Sequence, residues 1–112
     1  MDPLKLFETT PGKFSLIMNA GGLPADEVVT AAGHEPHGYF WDAVAKWVIR
    51  TRVPEVEGRV KFDPEGGMFC AYGTDREALT VLGEAMAWVV NAVDELPALI
   101  AAGERAGVDF DD

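Results

Sequence analysis

Hydrophobic residues recur at two spacings along the chain, and each spacing predicts a different kind of element. Two short apolar-rich segments, residues 4–8 and 14–19, flank a turn containing Pro11-Gly12, which predicts a β-hairpin. A helix over residues 24–32 is expected next, because Pro24 suits a first helical turn and Gly33 can end one. Helical spacing returns over residues 38–52, where one face carries Phe40, Val44, Trp47 and Thr51.

Alternating hydrophobic and polar residues predict a second hairpin in the middle of the chain. Residues 57–63 alternate, with Val60 and Phe62 on one side, which is typical of a half-buried strand. The sequence Asp63-Pro64-Glu65-Gly66 then matches a type I turn, and Gly66 or Gly67 is expected to have a positive φ. Residues 68–72 are apolar on both faces, which predicts an interior strand.

The last third of the chain predicts two helices. Thr74 and Glu77 have the spacing of a capping box, so a helix should begin there. One stripe of this helix is apolar and consists of Leu79, Leu82, Met86, Val89 and Val93. Another helix is expected over residues 95–106 and is closed by Gly107, which leaves residues 108–112 as a frayed acidic tail.

The resulting order, ββααββαα, predicts an α+β fold in which a four-stranded antiparallel sheet packs against helices. A length of 112 residues fits a single domain, which we expect to span residues 1–112. The apolar stripes and alternating faces predict a core that includes Trp47, Val60, Phe62, Leu79, Leu82, Met86 and Val89.

The formal net charge is −10, and most of it lies in the second half of the chain. Residues 1–54 carry six acids and five bases, giving −1, whereas residues 55–112 carry thirteen acids and four bases, giving −9. Such a field repels nucleic acid and anionic membranes and attracts basic proteins, although solubility alone also explains an acidic protein. The absence of an apolar run of 18 residues and of a signal-peptide pattern at the N-terminus predicts a cytoplasmic location without a membrane partner.

Three groups of residues are candidates for chemistry, and each has a simpler structural explanation. His34 and His37 have HxxH spacing but lie in a proline-containing connector, and a tetrahedral metal site would need ligands from elsewhere. Asp63 and Glu65 are a possible acid–base pair but occupy a predicted turn. Cys70 lies in a strand without a basic neighbour in the sequence. We therefore expect no catalytic site, no metal and no cofactor.

Aromatic residues are unusually frequent in the predicted helix over residues 38–52. Phe40 and Trp47 lie on its predicted core face, whereas Tyr39 and Trp41 are turned away from that face by about 100° per residue. Core packing is the favoured role of the cluster. A ring that is exposed to solvent would instead be a candidate binding anchor, because aromatic residues dominate interface energetics.

Two segments of the chain resemble signatures of the immunity protein 51 family. Residues 34–42 are similar to the family's Gly-Tyr-x-Trp motif, and residues 62–69 are similar to its Phe-Asp-Pro-Glu-x-Gly-Met-Phe motif. The similarity extends over residues 3–102, with His37 and Asp42 where Asn and Glu are expected. The motif residues in this sequence are Gly38, Tyr39, Trp41, Phe62, Asp63, Pro64, Glu65, Gly67, Met68 and Phe69.

The resemblance implies an immunity protein of a bacterial polymorphic toxin system, which binds and neutralises a cognate toxin and is not an enzyme. Together with the charge, it suggests a basic, nuclease-type toxin domain as partner, held by the acidic residues Glu55, Glu57, Glu65 and Asp75. Two other classes stay open. One is a small acid–base enzyme with Asp63, Glu65 and His37 in a shared cleft, and the other is a self-associating regulatory domain.

Overall fold

Four strands and four helices follow one another in the computed structural model, which describes residues 1–111. Their order is ββααββαα, so the predicted α+β class and element order are confirmed. A short 3-10 turn, Pro54–Val56, precedes the third strand. The bounds in chain order are β1 (Lys5–Thr10), β2 (Lys13–Asn19), α1 (Ala25–Ala31), α2 (Gly38–Thr51), β3 (Lys61–Phe62), β4 (Met68–Gly73), α3 (Arg76–Asn91) and α4 (Leu96–Arg105).

All four strands belong to one antiparallel sheet with the order β1-β2-β4-β3. The prediction of an interior strand is confirmed, because β4 pairs with β2 on one side and β3 on the other. Inward-facing residues such as Leu16 and Phe69 are fully buried against α2 and α3. The radius of gyration, 13.1 Å, is close to the value of about 13 Å expected for one compact unit of this length.

The second hairpin turns two residues later than predicted. Glu65 and Met68 pair with each other across Gly66-Gly67, and Asp63 donates its backbone N–H to the carbonyl oxygen of Cys70 at 3.0 Å. Asp63 and Pro64 therefore extend the β3 side of the hairpin and do not form its turn. Neither turn glycine has a positive φ, so that part of the prediction is wrong.

The strand before this turn is also shorter than predicted. Only Lys61 and Phe62 form β3. The 3-10 turn ends at Val56, and the chain then turns at Gly58, whose φ is +78°, before it reaches β3. The alternation of hydrophobic and polar residues over 57–63 thus lies mainly in a loop that leads into β3. Val60 and Phe62 are half-buried, because they lie at the edge of the core.

The buried face of α2 is rotated from the predicted one. Phe40 and Val44 are fully buried as expected. Trp47 is partly buried and packs against the core, whereas Thr51 is exposed, so the predicted face ends at Trp47. The buried face includes Trp41, which has no exposed surface, because α2 packs against both β4 and α3.

Helix α3 buries its predicted stripe, but its N-cap lies one residue later than expected. Leu79, Leu82, Met86 and Val89 are all buried, whereas Val93, the last residue of the predicted stripe, lies beyond the end of α3 at Asn91 and is half-buried. The cap is Asp75 and not Thr74, because the Asp75 carboxylate accepts a hydrogen bond from the Ala78 N–H at 3.0 Å.

Within residues 1–111 no single helix is long and apolar enough to cross a membrane, and α3 and α4 reach that hydropathy only as a pair bent by 112°.

The segment after α4 is packed, so the prediction of a frayed tail is wrong up to residue 111. Phe110 is 1% exposed and lies 5.6 Å from the Phe40 ring, measured between centroids. Gly103 makes room for it, because a Cβ at that position would overlap the Phe110 ring. Val108 also donates its N–H to the Gly103 carbonyl at 2.9 Å. Asp112 lies outside the described residues.

Candidate partner-binding surface

The two family-like motifs meet where α2 begins. The N–H of Gly38 donates to the carbonyl oxygen of Gly66 at 3.0 Å, and Ala20 donates to Gly67 at 2.9 Å. A Cβ on Gly38 would overlap the carbonyl oxygens of Glu65 and Met68. Only glycine therefore lets the helix approach the hairpin this closely, which gives these motif positions a structural role.

Most side chains of the two motifs are buried or half-buried. Trp41 and Phe69 have no exposed surface, so the favoured role of core packing holds for Trp41, although it lies off the predicted core stripe of the helix. Tyr39 is the exposed aromatic ring of the helix, with 43% of its surface accessible. Its edge packs on the ring of His37 at 5.8 Å between centroids. His37 caps α2, because its Nδ1 accepts a hydrogen bond from the Phe40 N–H at 3.0 Å.

His34 ties the C-terminal segment to the rest of the fold. Its side chain is 7% exposed, with Nδ1 at 2.6 Å from Asp111 and Nε2 at 3.1 Å from Glu104. Burial opposes protonation of the ring, but the hydrogen bonds and charges of these two carboxylates outweigh it and raise the pKa of His34. Within residues 1–111 no group of three potential ligands is arranged to hold a metal ion.

Of the three groups of the alternative acid–base enzyme, one lines the groove on the sheet. Asp63 lines a groove on the sheet, but Glu65 and His37 are not among the residues that line it. Cys70 lines the same groove, and burial together with the charges of Asp63 and Glu65 raises the pKa of its thiol. A thiol that is harder to ionise is a weaker nucleophile.

Three of the four predicted partner-binding acids lie together, and one does not. Asp75 binds Arg59 at 2.8 Å, and the backbone carbonyl of Glu55 accepts from the same guanidinium at 3.2 Å. Glu57 lies in the adjacent exposed loop. Glu65 lies at the other end of β4, about 17 Å away for a six-residue strand.

Asp75 is already engaged within the fold. The hydrogen bond from Arg59 and that from the Ala78 N–H both lower the pKa of the Asp75 carboxyl. Its oxygens are thus occupied by the helix cap and the ion pair. Glu55 and Glu57 remain as exposed carboxylates near Arg59.

Helices α2 and α3 pack on the face of the sheet that carries Leu16 and Phe69, and the opposite face carries several exposed side chains within residues 1–111. Cross-strand pairing places Phe7, Ser15, Tyr72 and Lys61 in one row across all four strands. A second row contains Lys5, Ile17 and Cys70. We call this surface the open sheet face and define it by its outward residues Lys5, Phe7, Lys13, Ser15, Ile17, Lys61, Asp63, Met68, Cys70 and Tyr72.

A groove of about 600 Å³ crosses the open sheet face. Its floor includes Ser15 and Tyr72, and its walls include Lys13 and the loop residue Arg59. Phe7 and Tyr72 are 44% and 39% exposed, so this face carries two exposed aromatic rings. The open sheet face therefore combines aromatic surface, cationic side chains and a concave shape.

Sequence reasoning missed this surface, although a signal for it was present. In the first hairpin, Lys5 and Phe7 alternate with Leu6, and Ser15 and Ile17 alternate with Leu16. Period-two alternation assigns such residues to opposite faces of a strand. Lysine and phenylalanine on the same face mark a surface that is partly apolar yet exposed.

Comparison with protein families gives one match. A family model described as Immunity protein 51 matches residues 4–105 of the 112-residue chain, which is most of its length and contains both motifs. Neither the comparison with curated proteins nor that with solved structures gave a match.

Proposed function

The chain belongs to the immunity protein 51 family, and we propose that it acts by binding and neutralising the cognate toxin of a bacterial polymorphic toxin system. The observation that carries the proposal is the family match over residues 4–105. The family description supports a binding role, not an enzymatic one. Of Asp63, Glu65 and His37, only Asp63 lines the groove on the sheet, which supports the same choice because acid–base catalysis needs its groups in one cleft.

We further propose that the toxin domain is basic and acts on nucleic acid in the cytoplasm. A net charge of −10 creates a field that attracts a cationic protein over a Debye length of about 8–10 Å. A toxin that holds phosphates needs cationic side chains of its own. An acidic immunity protein is suited to approach such a surface rapidly.

Within the proposed site, Glu55 and Glu57 are the steering residues. Both are exposed at the border of the open sheet face, beside the loop that forms one wall of its groove. Asp75 acts indirectly, since it holds Arg59 in that wall. Glu65 forms a separate acidic position at the opposite end of β4.

The double variant Glu55→Gln/Glu57→Gln should slow association with the toxin about three- to tenfold at low salt, with little change in dissociation. The physical reason is the loss of two rim charges that act before contact. Stopped-flow or surface-plasmon kinetics at 20 mM and 500 mM salt measure this, using the toxin domain that the neighbouring upstream gene is expected to encode in a polymorphic toxin system.

Glu27→Gln/Glu95→Gln removes the same charge from exposed positions on α1 and before α4 and serves as the matched control. It should slow association by less than about twofold. An association rate of the unmodified protein that does not depend on salt would reject electrostatic steering. Equal effects of the two double variants would reject the assignment of steering to Glu55 and Glu57.

A further inference from the structure

We infer that the open sheet face is the surface that contacts the toxin, and that the toxin meets it with a carboxylate-bearing segment around an apolar side chain. This inference rests on the proposed function and adds the contact surface and the chemistry of the partner's contacting segment. Its basis is the position of exposed aromatic rings, lysines and a groove on the same face of the sheet.

The aromatic rings supply the apolar centre. Phe7 on β1 and Tyr72 on β4 occupy one cross-strand row, separated by the small side chain of Ser15. Ile17 lies in the next row and is half-buried. The groove reaches Ser15 and Tyr72, so an apolar side chain of the partner can pack against Tyr72 there, with Phe7 beside it in the same row. Interfaces are typically anchored by such central, well-packed contacts.

The lysines supply the charge. Three of the four lysines in the sequence, Lys5, Lys13 and Lys61, lie on the open sheet face. Within residues 1–111 none of them forms an ion pair, whereas the fourth, Lys46, binds Asp42 at 2.9 Å. Lysines gathered without partners on one face of a strongly acidic protein are best satisfied by carboxylates of another molecule.

The same arrangement is compatible with a toxin that is basic overall. The electrostatic field of the whole protein attracts the toxin over distances of about the Debye length. The orientation of the bound toxin is decided by the groups in direct contact. Glu55 and Glu57 at the border face the toxin's cationic surroundings. The lysines of the central rows face carboxylates, which nucleic-acid-cleaving centres commonly contain because they hold divalent metal ions.

The groove determines which part of the face the partner can enter. It runs between the loop containing Arg59 and the β2 residues Lys13 and Ser15, with Tyr72 at its floor. Asp63 lines its other end, so the cationic and anionic ends of the groove are different. A carboxylate of the partner therefore belongs at the Lys13 end of the groove, because Lys61 lies only two residues from Asp63 on the same face.

Two double variants of the full-length protein test the inference against the toxin domain encoded by the upstream gene. Phe7→Ala/Tyr72→Ala should accelerate dissociation at least about tenfold, because it removes the apolar centre. Lys13→Glu/Lys61→Glu should weaken the equilibrium affinity at least about tenfold, because it places like charges against the partner's carboxylates. Biolayer interferometry measures both, and circular dichroism verifies that each variant is folded.

Matched controls carry the same chemical changes on the helical side. Trp88→Ala removes an exposed ring from α3, and Arg50→Glu/Arg105→Glu reverses two exposed cations on α2 and α4. Both controls should bind within about twofold of the unmodified protein.

Each other outcome overturns a defined part of the account. If the unmodified protein binds and the controls weaken binding while the open-face variants do not, the toxin contacts the helical side and the inference is wrong. If Lys13→Glu/Lys61→Glu strengthens binding, the contacting segment is basic and the assigned chemistry is wrong. If the unmodified, folded protein does not bind at all, the proposed function fails before the contact surface is in question.

Discussion

Replacing Phe110 with alanine should lower the free energy of unfolding by about 3–5 kcal/mol, which is the usual cost of truncating a buried phenylalanine. The ring is 1% exposed and packs against Phe40 and His34, with centroid distances of 5.6 Å to each. Its loss leaves a cavity and frees the segment that carries Asp111. Urea unfolding monitored by tryptophan fluorescence measures the change.

The control is the same substitution at an exposed phenylalanine. Phe7→Ala removes a ring that is 44% exposed on the edge strand β1, so it should cost about 1 kcal/mol or less. Equal losses for Phe110→Ala and Phe7→Ala would mean that the C-terminal segment is not part of the core in solution.

Replacing Gly38 with alanine should destabilise the protein by about 3 kcal/mol, through overpacking and not through a cavity. A Cβ at this position would lie 2.8 Å from the carbonyl carbon of Met68 and would overlap the carbonyl oxygens of Glu65 and Met68. Because these neighbours are backbone atoms of a hairpin, they cannot rotate away. Denaturant unfolding and the melting temperature both report the loss.

Gly67→Ala is the matched control at the other side of the same contact. A Cβ on Gly67 would meet no atom within 4 Å, and its φ is not positive, so the change should be within about 1 kcal/mol. If Gly38→Ala is tolerated as well as Gly67→Ala, the docking of α2 on the hairpin is not as close as the structure has it.

Elements whose signals are local were predictable from the sequence. The first hairpin follows from Pro11-Gly12 between two apolar segments, and Gly12 has the positive φ, +80°, that such a turn favours. The apolar stripe of α3 is buried as expected, because a regular helical period leaves little ambiguity about the inward face. The end of α1 at Gly33, whose φ is +90°, is similarly local.

Features that depend on distant partners were not predictable in this way. The turn at Gly66-Gly67 is held by hydrogen bonds from Ala20 and Gly38, which are distant in sequence. The buried face of α2 is set by two neighbours, β4 and α3, so helical spacing within α2 did not identify Trp41 as core. The packing of Phe110 depends on space left by Gly103, which no local pattern indicates.

The candidate site was predictable only in part. Charge led to the choice of Glu55 and Glu57, which are exposed and whose role stays a prediction, but sequence alone did not indicate that Asp75 is engaged by Arg59 and by the α3 cap. The family-like motifs were recognisable, yet most of their side chains are buried or half-buried, and Gly38, Glu65 and Met68 meet at the junction of α2 and the hairpin. The open sheet face needed the strand order, because Phe7 and Tyr72 lie 65 positions apart in the sequence.

The central claim is that this protein binds and neutralises a toxin. The most direct measurement combines the purified protein with the toxin domain encoded by the upstream gene and determines the dissociation constant and the residual toxin activity. The account predicts a stable complex with a dissociation constant of about 10 nM or below, and loss of toxin activity at equimolar protein. Undiminished toxin activity with no complex at micromolar concentrations would contradict it.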